Sequence, residues 1–232
     1  MTAPLALEVI ATSVADARAA EQGGAARIEL VAALDFGGMT PPIALVEDVL
    51  AQVRIPVRVM VRQTERHEVA DPVMRLRLVD QARLIGQKAV DGLVFGALAD
   101  GRIDEPLLDA VAAASGRPIT FHRAFEGLVD AATGLAVLAR HPAVDRVLCD
   151  GGPGTWPERA LRLSGWAAEA SGGVQMLAGG GITEDALIAL SEVQGLREVH
   201  VGRLVREPAT VNGVVSAARV AGLVARLRRM RP

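Results

Sequence analysis

Five ionisable side chains recur at one phase of short apolar runs. Glu8 sits among Leu5, Leu7 and Val9, Glu29 between Ile28 and Leu30, Arg62 after Val57, Val59 and Val61, His122 beside Phe121, and His200 between Val199 and Val201. Successive residues of a strand face opposite sides of a sheet, so these five would be sent toward one shared space. Unpaired charges are costly to bury, so they must pair with one another, with water or with a ligand. An imidazole within reach of a carboxylate can move protons, which makes His122, Glu8 and Glu29 candidate catalytic groups. Arginine forks hold carboxylates and phosphates, which makes Arg62 and Arg123 candidates for a clamp on a small anion, with His200 beside them. A structural alternative stays open, in which Glu8 and Glu29 partner Arg62 in a buried ion network.

Glycines give a second signal. Gly179, Gly180 and Gly181 follow one apolar run, and Gly202 follows another. Free backbone N–H groups at such turns can bind a phosphate, so Gly180, Gly181 and Gly202 join the candidate substrate-binding residues; glycines also simply make turns.

The elements that would position these groups are eight β-branched runs alternating with helical Ala/Leu/Arg segments. The runs are Leu5 to Ala11, Ala26 to Val31, Val57 to Arg62, Asp91 to Phe95, Pro118 to His122, Arg146 to Cys149, Val174 to Ala178 and Glu198 to Val201. Helices are expected to begin near Val14, Ile43, Asp71, Glu105, Val129, Pro157, Glu184 and Gly213, with Ser13, Thr183 and Asn212 among the caps. Eight even βα units predict an α/β fold, a single (β/α)8 TIM barrel over residues 1–232, with its site at the C-terminal mouth. A doubly wound open sheet is the alternative.

Composition excludes several classes. A net charge of −2 gives no electrostatic reason for a nucleic-acid or membrane partner. The arginines Arg219, Arg226, Arg228, Arg229 and Arg231 read as the wet face of a last helix. No apolar run is long enough to span a bilayer, and Met1 to Leu7 carries no signal-peptide pattern, so a cytoplasmic protein with a small-molecule or metal ligand is expected. Cys149 is the only cysteine and reads as core packing, so neither a disulfide framework nor a multi-thiolate zinc site is available. Lys88, the only lysine, falls at a predicted helix end, which argues against a Schiff base in the mouth. His67 and His141 read as solvated surface residues.

Arg27-Ile28-Glu29-Leu30 running on to Gly37-Gly38-Met39-Thr40-Pro41 resembles the CutC pattern V-E-L-C followed by G-G-L-T-P, and Thr120 to Phe125, T-F-H-R-A-F, is the sharper match. The likeness continues through Glu8, Leu93 to Gly96, Arg146 to Leu148, Ala178 to Ile182 and Glu198 to His200. It implies a cytoplasmic barrel, a homo-oligomer (dimer or tetramer), and a polar pocket of Glu8, Glu29, Arg62, His122, Arg123 and His200. Copper homeostasis comes with the family name, with copper or another divalent metal as the implied cofactor. Three departures bear on it. Val31 stands where the family cysteine would be, which removes a soft thiolate and speaks against copper(I). Gln63 to Arg66 replace the R-P-R-G-G-D-F segment after Arg62, and Asp150 replaces a serine of the expected ligand site. Three classes follow: a metal-handling protein with His122, His200, Glu8 and Glu29 as possible ligands, an enzyme on a small anionic carbonyl substrate using His/Glu acid-base chemistry, and a non-catalytic metabolite binder.

Overall fold

The computed structural model describes residues 4–170 and 173–230. Eight parallel strands pair each with the next and the last with the first, closing a barrel. They are β1 (Ala6–Ala11), β2 (Arg27–Leu30), β3 (Val57–Met60), β4 (Gly92–Phe95), β5 (Ile119–Phe121), β6 (Val144–Cys149), β7 (Gln175–Ala178) and β8 (Glu198–Val201). A helix follows each: α1 (Val14–Gln22), α2 (Ile43–Gln52), α3 (Pro72–Gly86), α4 (Glu105–Ser115), α5 (Ala131–Arg140), α6 (Trp156–Glu169), α7 (Glu184–Ser191) and α8 (Ala217–Met230).

Local chemistry sets several helix starts. Ser13 and Thr183 accept N–H bonds from Asp16 and Ala186, and Asp71 caps α3 ahead of Pro72. The last helix departs from expectation, beginning at Ala217 rather than near Gly213, and Asn212 lies in a turn instead of capping it. Residues Arg206–Glu207 pair antiparallel with Val214–Val215, and a Cβ on Gly213 would fall on the Pro208 carbonyl, so this glycine serves a tight hairpin. Asp16 fastens that hairpin to α1, accepting from the buried Arg206 at 3.0 Å and from Val215 N–H at 2.9 Å. Arg231 lies outside the described residues, as do Met1 to Ala3.

The main apolar core fills the space between strands and helices, taking Leu7 and Val9 of β1, Ile28 and Leu30 of β2 and Val59 of β3. The opposite strand phase lines the barrel interior. Its buried apolar side chains include a small cluster of Val31, Met60 and Val94, with Ile10 and Leu34 against it, and Leu148 and Leu177. Below that cluster, toward the strand N-termini, the interior is ionic. Arg27 bridges Glu8 and Glu198, Arg146 bridges Glu198 and Asp145, and Arg58 bridges Asp145 and Asp91. Charges alternate along this chain, so each buried guanidinium has carboxylates on both sides, the condition under which burial is tolerable. Arg58 also donates to Thr120 at 2.8 Å.

Candidate active site at the barrel mouth

A cavity of about 500 Å³ opens at the C-terminal ends of the strands, with Glu29, Arg62, His67, His122, Arg123, His200, Gly180, Gly181 and Gly202 in its lining. Barrel enzymes carry their sites at this face, where loops differ while the scaffold stays fixed.

One wall is a buried proton-holding cluster. Register sets Glu8 directly opposite His200 on the neighbouring strand. His200 Nδ1 lies 2.7 Å from Glu8 Oε1, while Arg27 holds the other Glu8 oxygen. Burial pushes the Glu8 carboxyl up, but the His200 hydrogen bond and the positive charges of Arg27 and His200 outweigh it and bring it down to about 2. An ionised Glu8 only accepts, so His200 Nδ1 carries a proton and Nε2 faces Glu29 Oε2 at 3.7 Å. Glu29 Oε1 is buried without a hydrogen-bond partner. Burial, assisted by the charge of Glu8 and opposed by His200, pushes the Glu29 carboxyl up to about 7. Burial disfavours charged His200, but Glu29 and Glu8 prevail and raise its pKa. Ligand atoms of Glu8, Glu29 and His200 all lie within 4.8 Å of one another. Gly179 makes room for the ring, since a Cβ there would come 3.1 Å from His200 Cδ2.

The opposite chemistry belongs to His122. It directly follows β5 and caps a short 3-10 turn, Arg123–Gly127, and its Nδ1 accepts the Ala124 backbone N–H at 3.1 Å. His122 is buried, and burial first, then His67 and Arg62, hold its pKa well below the usual histidine range. A Cβ on Gly96 would meet Nδ1 at 2.6 Å, so the ring lies directly on the β4 backbone. His67 is not on the open surface as expected: it lines the cavity, packs on His122 with ring centroids 5.2 Å apart, and is brought down to about 4 by burial and the nearby arginines.

The two arginines are largely committed. Arg62 donates to the carbonyls of Thr64, Gly37 and Glu65, tying two rim loops together, and is not a partner of Glu8. Arg27 takes that place instead. Arg123 gives Nε and Nη2 to Glu126 and lies 3.5 Å from Asp150. Asp150 sits behind Arg123, accepting from Gly152 N–H at 2.8 Å. Gly180 and Gly181 are left-handed, with φ of 89° and 73°, and a Cβ on Gly180 would press on Asp150 and Arg123. Gly202 packs on Ile10. Cys149 points into the outer core, where burial pushes its thiol up. His141 is paired with Asp109 at 3.0 Å, away from the mouth.

The residues that sequence reasoning passed over, Arg27, Arg58, Arg146 and Glu198, share the phase of those it found. Arg27 and Glu198 stand two residues before Glu29 and His200, and phase alone would have placed them in the interior.

The sequence pattern described as the CutC family matches residues 5–204, most of the barrel and every side chain of the mouth cluster. The chain belongs to the CutC family. A copper homeostasis protein cutC homolog of Mus musculus is 38% identical over 197 residues, covering 84% of this chain and 72% of that protein. A family protein CutC of Rhizobium meliloti is 37% identical over 211 residues, covering 88% and 84%. The solved structure of a putative copper homeostasis protein CutC from Streptococcus agalactiae superposes with a TM-score of 0.77 at 22% identity, over 85% of this chain and 98% of that one, a likeness of fold. No helix among the described residues is long and apolar enough to cross a membrane.

Proposed function

We propose that this CutC-family protein serves copper homeostasis by holding a divalent metal ion between Glu29 and His200 at the barrel mouth. The observation that carries the reading is the approach of the Glu8, Glu29 and His200 ligand atoms to within 4.8 Å, with Glu29 Oε1 buried and unpartnered. Glu8 is the orienting group: engaged with His200 Nδ1, it turns Nε2 toward the ion, as carboxylates behind metal-binding histidines do. Nitrogen and carboxylate oxygen suit a borderline divalent ion, whereas copper(I) wants sulfur, and the only thiol faces the outer core. Titration of metal-free protein with copper(II) and zinc(II) by calorimetry tests this. Glu29→Gln and His200→Ala should each weaken binding at least about tenfold, roughly 1.4 kcal/mol; variants that bind like wild type overturn the assignment.

A second reading, an enzyme moving a proton on a small anionic carbonyl compound, is favoured by Glu29, whose pKa of about 7 lets it take and return a proton near neutrality. In that case Glu29 and His200 are the acid-base pair, and His122 is not. The family reading further makes the protein a single-domain, cytoplasmic homo-oligomer, to be checked by cell fractionation and light scattering.

A further inference from the structure

The strongest unassigned feature of the mouth is a hydrogen-bond donor without an acceptor. A backbone N–H can only donate, so the Ala124 N–H fixes a lone pair on His122 Nδ1. The ring is neutral, so its one proton is on Nε2. That atom is buried, has no hydrogen-bond partner, and belongs to a side chain lining the cavity. Leaving such a donor unsatisfied is costly, and a site that keeps one is built to receive an acceptor. Beside it stands Arg62, whose guanidinium bonds only to backbone carbonyls and makes no ion pair among the described residues. Three of its five N–H groups are used, and in its half-buried position Glu65 and Glu29 act on its charge without forming an ion pair with it.

We infer that His122 Nε2–H and Arg62 form a binding site for an oxyanion, the carboxylate or phosphate group of a small ligand entering the mouth. The fixed tautomer gives the site its selectivity: Nε2 offers a proton and no lone pair, so it donates to an oxygen and refuses a cation or a donor. His122 therefore neither ligates the metal nor moves protons, and the site is separate from the Glu29–His200 pair. Arg123 is not part of the site, because its guanidinium is already paired with Glu126 and Asp150. Gly96 is part of the device, because any side chain there would displace the ring from the Ala124 N–H.

Anion binding here does not require the metal, so the test uses metal-free protein labelled with 15N-histidine. Ring-nitrogen NMR should show His122 as the neutral Nε2–H tautomer at neutral pH. Inorganic phosphate and, in a separate titration, acetate are the probes; a shift of the His122 Nε2–H signal with either one is expected, and which one acts distinguishes phosphate from carboxylate ligands. His122→Asn keeps an oxygen able to accept from Ala124 N–H but has no donor at the Nε2 position. It should fold and bind the active probe at least about tenfold more weakly, as should Arg62→Met. A Nδ1–H tautomer, a signal unmoved by both probes, or undiminished binding in His122→Asn would overturn the inference, while leaving the calorimetric result on Glu29 and His200 untouched.

Discussion

Replacing Glu29 by Gln should change the pH dependence of stability in a defined direction. The carboxyl is pushed from 4.5 to about 7 in the folded protein, first by burial and then by Glu8. The folded state therefore holds this proton over a range where the unfolded chain has released it. Its contribution is fully present below about pH 4.5 and is lost as pH rises toward 7, an acid with a raised pKa behaving oppositely to the usual paired carboxylate. A shift of that size corresponds to about 3 kcal/mol, with no discount for screening because Glu29 is 3% exposed. His200, also raised, adds a loss of the same sign above the ordinary histidine range, and its elevation leans on Glu29. The amide introduced by Glu29→Gln cannot ionise and mimics the protonated acid. The stability of Glu29→Gln relative to wild type should thus climb by about 3 kcal/mol between about pH 4.5 and pH 8. Urea unfolding of metal-free protein at half-unit pH steps measures it. If the two stability curves run parallel across that range, Glu29 does not hold its proton to neutrality, and the account of the mouth as a buried proton-holding cluster fails.

Arg27→Met should cost about 3–5 kcal/mol in the same assay, because Glu8 loses its guanidinium partner and Glu198 keeps only Arg146; adding Glu8→Gln should recover part of it, and a loss below about 1 kcal/mol would refute the ionic chain as a structural element. Val31→Cys should create copper(I) affinity that wild type lacks, since the new thiol would join the Met60 thioether in the interior apolar cluster; competition against a chromogenic copper(I) chelator reads this, and equal curves for both proteins would refute it.

The barrel was legible because the strands announce themselves by an apolar phase and several loops by a cap, a proline or a glycine. The placement of Glu8, Glu29 and His200 in one cluster followed from phase alone. Partners did not follow. Sequence offered Arg62 to Glu8 and Glu29, since both lie on the inward phase, but which inward residues meet depends on register. Glu8 faces Arg27 across the β1–β2 ladder and His200 across the β1–β8 ladder, while Arg62 lies past the end of β3 and turns to the rim carbonyls. His67 was illegible for a similar reason. Its loop has no periodicity, and only the bridge from Glu68 to Leu98 and the Leu98 N–H bond to the His67 carbonyl bring it back against His122.

His122 and His200 show why residue type and phase stop short of chemistry. Both share the inward-facing strand phase near the mouth, both are buried, and both read from sequence as proton carriers or ligands. What separates them is the partner of Nδ1. In His200 it is an ionised carboxylate that can only accept, so Nδ1 donates and the lone pair of the neutral ring is on Nε2, turned toward Glu29. In His122 it is a backbone N–H that can only donate, so Nδ1 accepts and Nε2 must carry the proton. One ring can therefore bind a cation or shuttle a proton, and the other can only offer a hydrogen bond. The mouth is polarised by these two contacts, and the two proposals made for it follow from that difference: an acceptor oxygen for His122 Nε2–H, and a metal ion or an exchangeable proton for Glu29 and His200.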